Sequence, residues 1–112
     1  MIKRIQPGRR ICQAVVANGT VTTSGITGTG TDAEAQTRDI LAQVDALLAE
    51  AGTNKSNLIS ATVWLRDVAD FDAMNRAWDA WVDPANVPVR ATIEARLFTP
   101  DLQVEIQISA AV

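Results

Sequence analysis

The sequence predicts a single α+β domain spanning residues 1–112, in which two helices cover one face of a β-sheet. A length of 112 residues is enough for one compact core without disulfides or metal ions. Two segments repeat apolar residues at helical spacing, and about six short segments have the alternating or β-branched character of strands. Their order is βββαβαββ, with no internal repeat and no linker.

The first three strands are predicted at residues 1–5, 12–17 and 21–24. Asn18-Gly19, between the second and third strands, is a strong signal for a two-residue hairpin turn. Three glycines follow at positions 25, 28 and 30. We interpret this glycine-rich segment as a loop whose backbone a ligand can approach closely.

The first helix is predicted from a capping signal followed by an apolar stripe. Thr31 and Glu34 have the spacing of a capping box, and Gly52 ends the pattern. The stripe consists of Ile40, Leu41, Val44, Leu47 and Leu48. The spacing therefore predicts an amphipathic helix that packs one face on the sheet.

A fourth strand and a second helix follow. Residues 58–66 are rich in β-branched and aromatic side chains, which predicts a strand. Asp70 is the expected N-cap of the second helix, which Pro84 and Pro88 end. The apolar stripe of this helix consists of Phe71, Met74, Trp78, Trp81 and Val82.

Residues 89–97 and 102–112 alternate strictly and predict two strands joined as a hairpin. The expected core-facing residues are Val89, Ala91, Ile93, Ala95 and Leu97, then Leu102, Val104, Ile106 and Ile108. The opposite, polar face would carry Arg90, Thr92, Glu94, Arg96, Gln103, Glu105 and Gln107. This polar face is either solvated or buried against copies of the same chain.

Composition excludes several classes of function. A net charge of −3 gives an average field that repels phosphate, although four basic residues lie within the first ten positions, so we do not expect nucleic acid as a partner. The chain has no histidine, which removes histidine-based nucleophile pairs, zinc sites and proton shuttles. The single cysteine, Cys12, fits a small core residue in a cytoplasmic protein.

No membrane partner, cofactor or metal is expected. No segment approaches the length of an apolar membrane span, and no signal peptide is recognisable. The glycine spacing fits neither a dinucleotide fingerprint nor a phosphate-binding loop with its lysine.

Arg90 and Glu105 are the first candidates for chemistry. Arg90 follows Val87-Pro88-Val89 and suits bidentate capture of a carboxylate, although a lone arginine on a polar strand is more often a member of an ion pair. Glu105 lies between apolar neighbours and is a candidate general acid or base, or the partner of Arg90 or Arg96 in a salt bridge.

The predicted hairpin separates these two candidates. If residues 98–100 form the turn, Arg90 lies opposite Ser109, and Glu105 is four residues along the strand, roughly 13 Å away. A site that uses both residues would then need Glu105 from a neighbouring chain.

Other positions are candidates for ligand contacts. Asn75 interrupts the apolar stripe of the second helix, which fits a hydrogen-bonded structural amide or a ligand contact. Ser24-Gly25 ends a strand where the glycine-rich loop begins, and backbone N–H groups there could bind an anion.

These segments, in this order and spacing, resemble the reactive intermediate deaminase family (Rid, or YjgF-like) over nearly the whole chain. The segments are residues 13–19, Thr23-Ser24-Gly25, Asp70-Phe71, Met74-Asn75, residues 87–95 and Val104-Glu105-Ile106. The resemblance implies a chorismate-mutase-like fold, a homotrimer whose sheets line a central barrel, and ligand clefts between subunits.

The resemblance also implies an activity and its residues. Typical members hydrolyse 2-imino or 2-enamino acids to 2-keto acids and ammonia. Arg90 would bind the substrate carboxylate and Glu105 would help to position water. Ser24, Gly25, Asn75 and Thr92 fall at cleft positions.

The chain departs from the family pattern at two places. It has Arg9-Arg10-Ile11 where deaminases usually have Gly-Pro-Tyr, and it contains no tyrosine. Residues 26–29 replace the usual Gln-Ile/Val-Pro. Two functions therefore stay open: an imine or enamine deaminase, and a non-catalytic trimer that binds small carboxylates.

Overall fold

A computed structural model describes all 112 residues as two helices and a seven-stranded mixed sheet. The helices are α1 (Ala33–Glu50) and α2 (Phe71–Trp81). The strands are β1 (Lys3–Pro7), β2 (Cys12–Ala17), β3 (Thr20–Thr23), β4 (Ile26–Thr27), β5 (Leu58–Leu65), β6 (Val89–Glu94) and β7 (Val104–Ala111). Their order in the sheet is β1-β2-β3-β7-β5-β6, and β4 also pairs with β7. The predicted α+β class is confirmed, and neither helix has the length and hydropathy to cross a membrane.

The β2–β3 hairpin forms at the predicted turn. Ala17 pairs with Thr20, and the two residues between them have φ angles of 52° at Asn18 and 73° at Gly19. Asparagine and glycine are the residues that tolerate such left-handed angles in a two-residue turn. The following segment, predicted to be a loop throughout, contains the two-residue strand β4.

The helix N-termini differ from the predicted caps. Asp32, not Thr31, caps α1, and its side chain accepts a hydrogen bond from the backbone N–H of Ala35. Asp70 precedes α2 but makes no side-chain cap, because a single 3₁₀ turn that Asp67 caps leads directly into the helix. Thr31 and Asp32 near α1, and Asp67 and Asp70 near α2, all have side chains that suit an N-cap, so the residue types alone do not select among them.

The predicted hairpin between the last two strands is wrong. β6 pairs in parallel with β5, and β7 lies between β5 and β3. The segment β5–α2–β6 is therefore a crossover unit in which the helix carries the chain back to the level where β5 begins, so that β6 runs parallel to β5 at the edge of the sheet. Strict alternation is shared by hairpins and by parallel neighbours, so it could not reveal this pairing.

Burial alternates along the central strands and distinguishes the two faces of the sheet. Both helices cover the face that carries the buried residues Ala61, Val63, Leu65, Val104, Ile106 and Ile108. We call this the helix face and the opposite side the open face. Glu105 and Gln107 lie on the open face, as predicted for β7.

The predicted orientation of β6 is reversed. Arg90 pairs with Ala61 and Thr92 with Val63, so both lie on the helix face with Glu94, while Arg96 and Gln103 lie outside the strands. Val89 and Ile93, predicted to be in the core, are 71% and 46% exposed on the open face. Alternation defines two sides of a strand but does not say which side is covered, and at this edge strand the helix face accepts polar residues.

Candidate functional site

Arg90 lies between the edge strand β6 and the helix α2. Its Nη1 atom donates to the Met74 Sδ atom at 3.8 Å. Its guanidinium carbon lies 5.1 Å from the ring centroid of Trp78 and 5.8 Å from that of Phe71. These three side chains lie on one stripe of α2, because their spacing of three and four residues repeats each helical turn.

The charge of Arg90 has no anionic partner within the chain. Both ion pairs of the protein are made by Glu34, with Arg38 and Arg76. Burial lowers the pKa of Arg90 from its usual value, and the charge of Asp79 acts in the opposite direction. Because arginine remains protonated at neutral pH, a half-buried cation with unused N–H donors remains at this edge.

Asn75 and Thr92 belong to the same region, which we call the Arg90 cluster (Arg90, Asn75 and Thr92). Asn75 follows Met74 on α2, and Thr92 shares the helix face of β6 with Arg90. Both side chains are half-buried, and neither makes a hydrogen bond within the chain. The interpretation of Asn75 as a hydrogen-bonded structural amide is therefore wrong, and all three members have free polar groups.

A second group of candidates, the Glu105 cluster (Ser24, Gly25 and Glu105), lies on the open face. A side chain at position 25 would overlap the Glu105 carboxylate, so only glycine lets this carboxylate lie against the backbone. The hydroxyl oxygen of Ser24 is shielded from solvent and has no hydrogen-bond partner. The Ser24 N–H donates to the Gln13 carbonyl, while the Gly25 N–H makes no hydrogen bond.

Glu105 makes no ion pair with Arg90 or Arg96, which removes the structural alternative for it within one chain. Arg90 is level with Ala61 of β5, whereas Glu105 is level with Trp64 on the other face. Arg90 and Glu105 are therefore apart within one chain, as predicted, but the predicted hairpin is not what separates them. They lie on opposite faces, with β5 between their strands.

Sequence reasoning assigned Phe71, Met74 and Trp78 to the core and missed their contact with Arg90. Met74 and Trp78 are buried as predicted, at 0% and 6% exposure, but the same stripe also surrounds the guanidinium group. The order strand–helix–strand in the sequence could have predicted that β6 runs parallel to β5, because parallel strands are usually joined through a helix. That pairing places Arg90 beneath α2.

Two other sequence features have definite positions. Ile11, where deaminases usually carry tyrosine, is 58% exposed in the turn between β1 and β2. Cys12 is a free, half-buried thiol at the start of β2. No three cysteine, aspartate or glutamate side chains converge as potential metal ligands.

Comparison with known proteins places this chain and its fold in a defined class. All 112 positions match the family model described as Endoribonuclease L-PSP. A RutC family protein of Haemophilus ducreyi is 45% identical over 100% of this chain and 97% of its own length. The RutC family protein YoaB of Escherichia coli is 46% identical over 99% of this chain and 98% of its own.

A solved structure shares this fold. The crystal structure of NMB1025, a member of the YjgF protein family from Neisseria meningitidis, superposes with a TM-score of 0.97. It is 43% identical and covers 99% of this chain and 94% of its own. The molecule is thus an α+β protein of the YjgF type. The chain belongs to the Endoribonuclease L-PSP (YjgF/RutC) family, which confirms the resemblance seen in its sequence.

Proposed function

We propose that this protein is a cytoplasmic homotrimer that binds small carboxylates between subunits and hydrolyses 2-imino or 2-enamino acids there. The observation that carries the proposal is the state of Arg90. Its guanidinium group is half-buried among Phe71, Met74 and Trp78, and its only hydrogen-bond contact is to a sulfur atom. A planar cation with free paired donors matches the two oxygens of a carboxylate.

A second chain is needed because one chain presents only half of the site on each face. The Arg90 cluster lies at the β6 edge of the helix face, and the Glu105 cluster lies on the open face. The open face also exposes Val89 and Ile93. Assembly through this face would cover these apolar side chains and bring the Glu105 cluster of one subunit to the Arg90 cluster of another.

The proposed reaction divides its tasks between the clusters. Arg90 holds the substrate carboxylate, with Asn75 and Thr92 as further polar contacts. Glu105 orients a water molecule, whose oxygen adds to the carbon of the C=N bond. The resulting tetrahedral intermediate loses its nitrogen as ammonia and leaves a 2-keto acid. A positioned carboxylate contributes about 10²-fold or more to such a step.

A non-catalytic carboxylate-binding trimer is the second candidate. Ile11 stands where typical deaminases carry tyrosine, and the chain has no tyrosine to replace it. Arg90 and the groups around it need no residue 11 to bind a carboxylate. Under this alternative, ligand binding persists without acceleration of imine hydrolysis.

RNA cleavage, the activity in the name of the matched family model, is not part of our proposal. The chain has a net charge of −3 and contains no histidine to act as a general acid or base. A polyanionic substrate needs neutralisation of its phosphates by clustered cations.

Calorimetry with pyruvate and 2-oxobutyrate tests the binding site. We expect Arg90→Ala to lose binding by at least about 10- to 100-fold, because a charge-assisted contact is removed. Arg76→Ala is the matched control, since that guanidinium group is already paired with Glu34. Equal affinities in the wild type and in Arg90→Ala would refute the assignment.

Two further measurements decide the assembly and the chemistry. Light scattering should give about three times the chain mass of 12.0 kDa, and a stable monomer would contradict the shared site. Ammonia release from freshly generated iminopropanoate, with and without protein, separates the deaminase from the binding module.

A further inference from the structure

We propose that Trp78 is a positioning residue that holds the guanidinium group of Arg90 ready for an anion; this inference rests on the proposed carboxylate site. The guanidinium carbon lies 5.1 Å from the Trp78 ring centroid, within the range of a cation–π contact. The contact uses the π-face of the ring as the attractive partner. It therefore restrains Arg90 without using the N–H donors that would bind a carboxylate.

Trp78 is better suited to this role than Phe71, the other aromatic neighbour. Phe71 is 40% exposed and lies farther from the guanidinium carbon, at 5.8 Å, whereas Trp78 is 6% exposed and belongs to the core cluster. A side chain fixed by core packing holds its neighbour in place more rigidly than an exposed one.

Contacts with Trp81, and through Trp81 with α1, help to fix the position of the Trp78 ring. Trp81 packs against it at 5.6 Å between ring centroids and at an angle of 55°. The indole N–H of Trp81 donates to both carboxylate oxygens of Asp45 on α1, at 3.0 Å each. Both helices thus contribute to the placement of the ring beneath Arg90.

Arg90 needs such a restraint because no strong hydrogen-bond acceptor of the chain fixes its long side chain. No carboxylate, carbonyl or amide oxygen of the chain accepts from it, and the Met74 sulfur atom is a weak acceptor. A flexible arginine would lose side-chain entropy when it binds a ligand. Restraint before binding lowers this loss and increases affinity.

The experiment compares Trp78→Leu, Trp78→Phe and the control Leu48→Ala. Trp78→Leu removes the aromatic face, Trp78→Phe retains one, and Leu48→Ala removes core packing from α1 while it leaves Trp78 and Trp81 in place. Phe71→Leu serves as a second test if Trp78→Leu does not fold, because Phe71 is more exposed and its replacement costs less core packing.

Two readouts are needed. The first is the Nε–Hε NMR signal of Arg90, assigned by its disappearance in Arg90→Lys, since an aromatic face shifts the signal of a guanidinium group held above it. The second is the affinity for 2-oxobutyrate by calorimetry. We expect Trp78→Leu to move the Arg90 signal toward that of a free arginine and to weaken binding about three- to tenfold.

Trp78→Phe should retain most of both properties, Leu48→Ala should leave them unchanged, and Phe71→Leu should produce smaller changes in the same direction as Trp78→Leu. An Arg90 signal that is unchanged in folded Trp78→Leu overturns the positioning role, and so does a shifted signal with unchanged affinity. If Trp78→Leu does not fold, unchanged properties in Phe71→Leu overturn it. If the wild type binds no carboxylate, the proposed function fails, and the NMR signal alone still decides whether Trp78 restrains Arg90.

Discussion

Ile106 and Glu105 are consecutive residues of β7, yet they lie in opposite surroundings. Ile106 is 0% exposed and packs in the core beneath the helices. Glu105 lies on the open face, and its side chain has no hydrogen bond or ion pair within the chain. Ile106 therefore completes its contacts inside one chain, whereas the carboxylate of Glu105 has no partner there. The difference teaches that the core beneath the helices supplies folding stability, whereas the open face can carry a charged group that the fold of one chain does not use.

Arg90 is the exception on the helix face, and its location explains why. It lies on the edge strand β6, where α2 provides aromatic and thioether contacts but no carboxylate within ion-pair distance. Like Glu105 on the open face, Arg90 therefore has polar groups, here guanidinium N–H donors, that the fold does not use. The Arg90 and Glu105 clusters both contain polar groups that have no partner within one chain.

The largest expected effect compares one substitution on the two faces. Ile106→Ala should lower the free energy of unfolding by about 2–5 kcal/mol, since it leaves a cavity in the core. Ile93→Ala, the same change at a residue 46% exposed on the open face, should cost much less for the chain itself and should instead promote dissociation. Urea unfolding across protein concentrations checks both effects. A large, concentration-independent cost for Ile93→Ala would break the comparison.

Glu105→Gln tests whether the open face carries chemistry. Turnover of an imino acid should fall about 10²-fold while carboxylate binding changes less, because the charge is lost but the shape is kept. Glu50→Gln, at the end of α1, is the matched control and should retain full turnover. A loss of thermal stability, with activity in proportion to folded protein, would instead indicate a structural ion pair between chains.

Ile11→Tyr asks whether the missing tyrosine limits the reaction. Position 11 is exposed in the turn between β1 and β2, so a larger side chain can be accommodated there. If the wild type is inactive, we expect the variant to gain measurable ammonia release with little change in stability. Continued inactivity with intact ligand binding would assign the protein to the binding modules.

The smallest expected effect concerns Glu34, which links the helices far from the open face. Hydrogen bonds from Arg76 and then Arg38 lower the pKa of Glu34 below its usual range. Its contribution to stability is therefore present above the unfolded-state pKa and is lost as the pH falls through the lower folded-state value. Glu34→Gln should reduce the melting temperature slightly at pH 7 and converge with the wild type in acid. A difference that does not depend on pH would contradict this cause.

Sequence patterns were sufficient for elements whose signals are local. Asn18-Gly19 predicted its turn because the φ angles there favour these two residues, and the stripe from Ile40 to Leu48 predicted α1 because a helix repeats every few residues. Nonlocal features were not predicted. Which strand pairs with β6, and which face of β6 the helices cover, depend on the position of β7 in the sheet. A short stretch of sequence does not contain this information.

The same limit applies to the site. Arg90 and Glu105 were identified as candidates from their residue types and their surroundings in the sequence. Their location on opposite faces, and the contact of Trp78 with Arg90, depend on the crossover from β5 through α2. The alternation of residues 89–97 matched a hairpin equally well and led to the wrong orientation.

Cross-linking between two differently labelled chains tests most directly whether subunits share the site. In a Cys12→Ser background, chains with Arg90→Cys and chains with Glu105→Cys are co-expressed and treated with a short bifunctional maleimide. The shared site predicts a covalent two-chain product that is much more abundant in the mixture than with either variant alone. If light scattering shows mixed trimers but no such product forms, the Arg90 and Glu105 clusters do not meet between subunits, which would contradict the account.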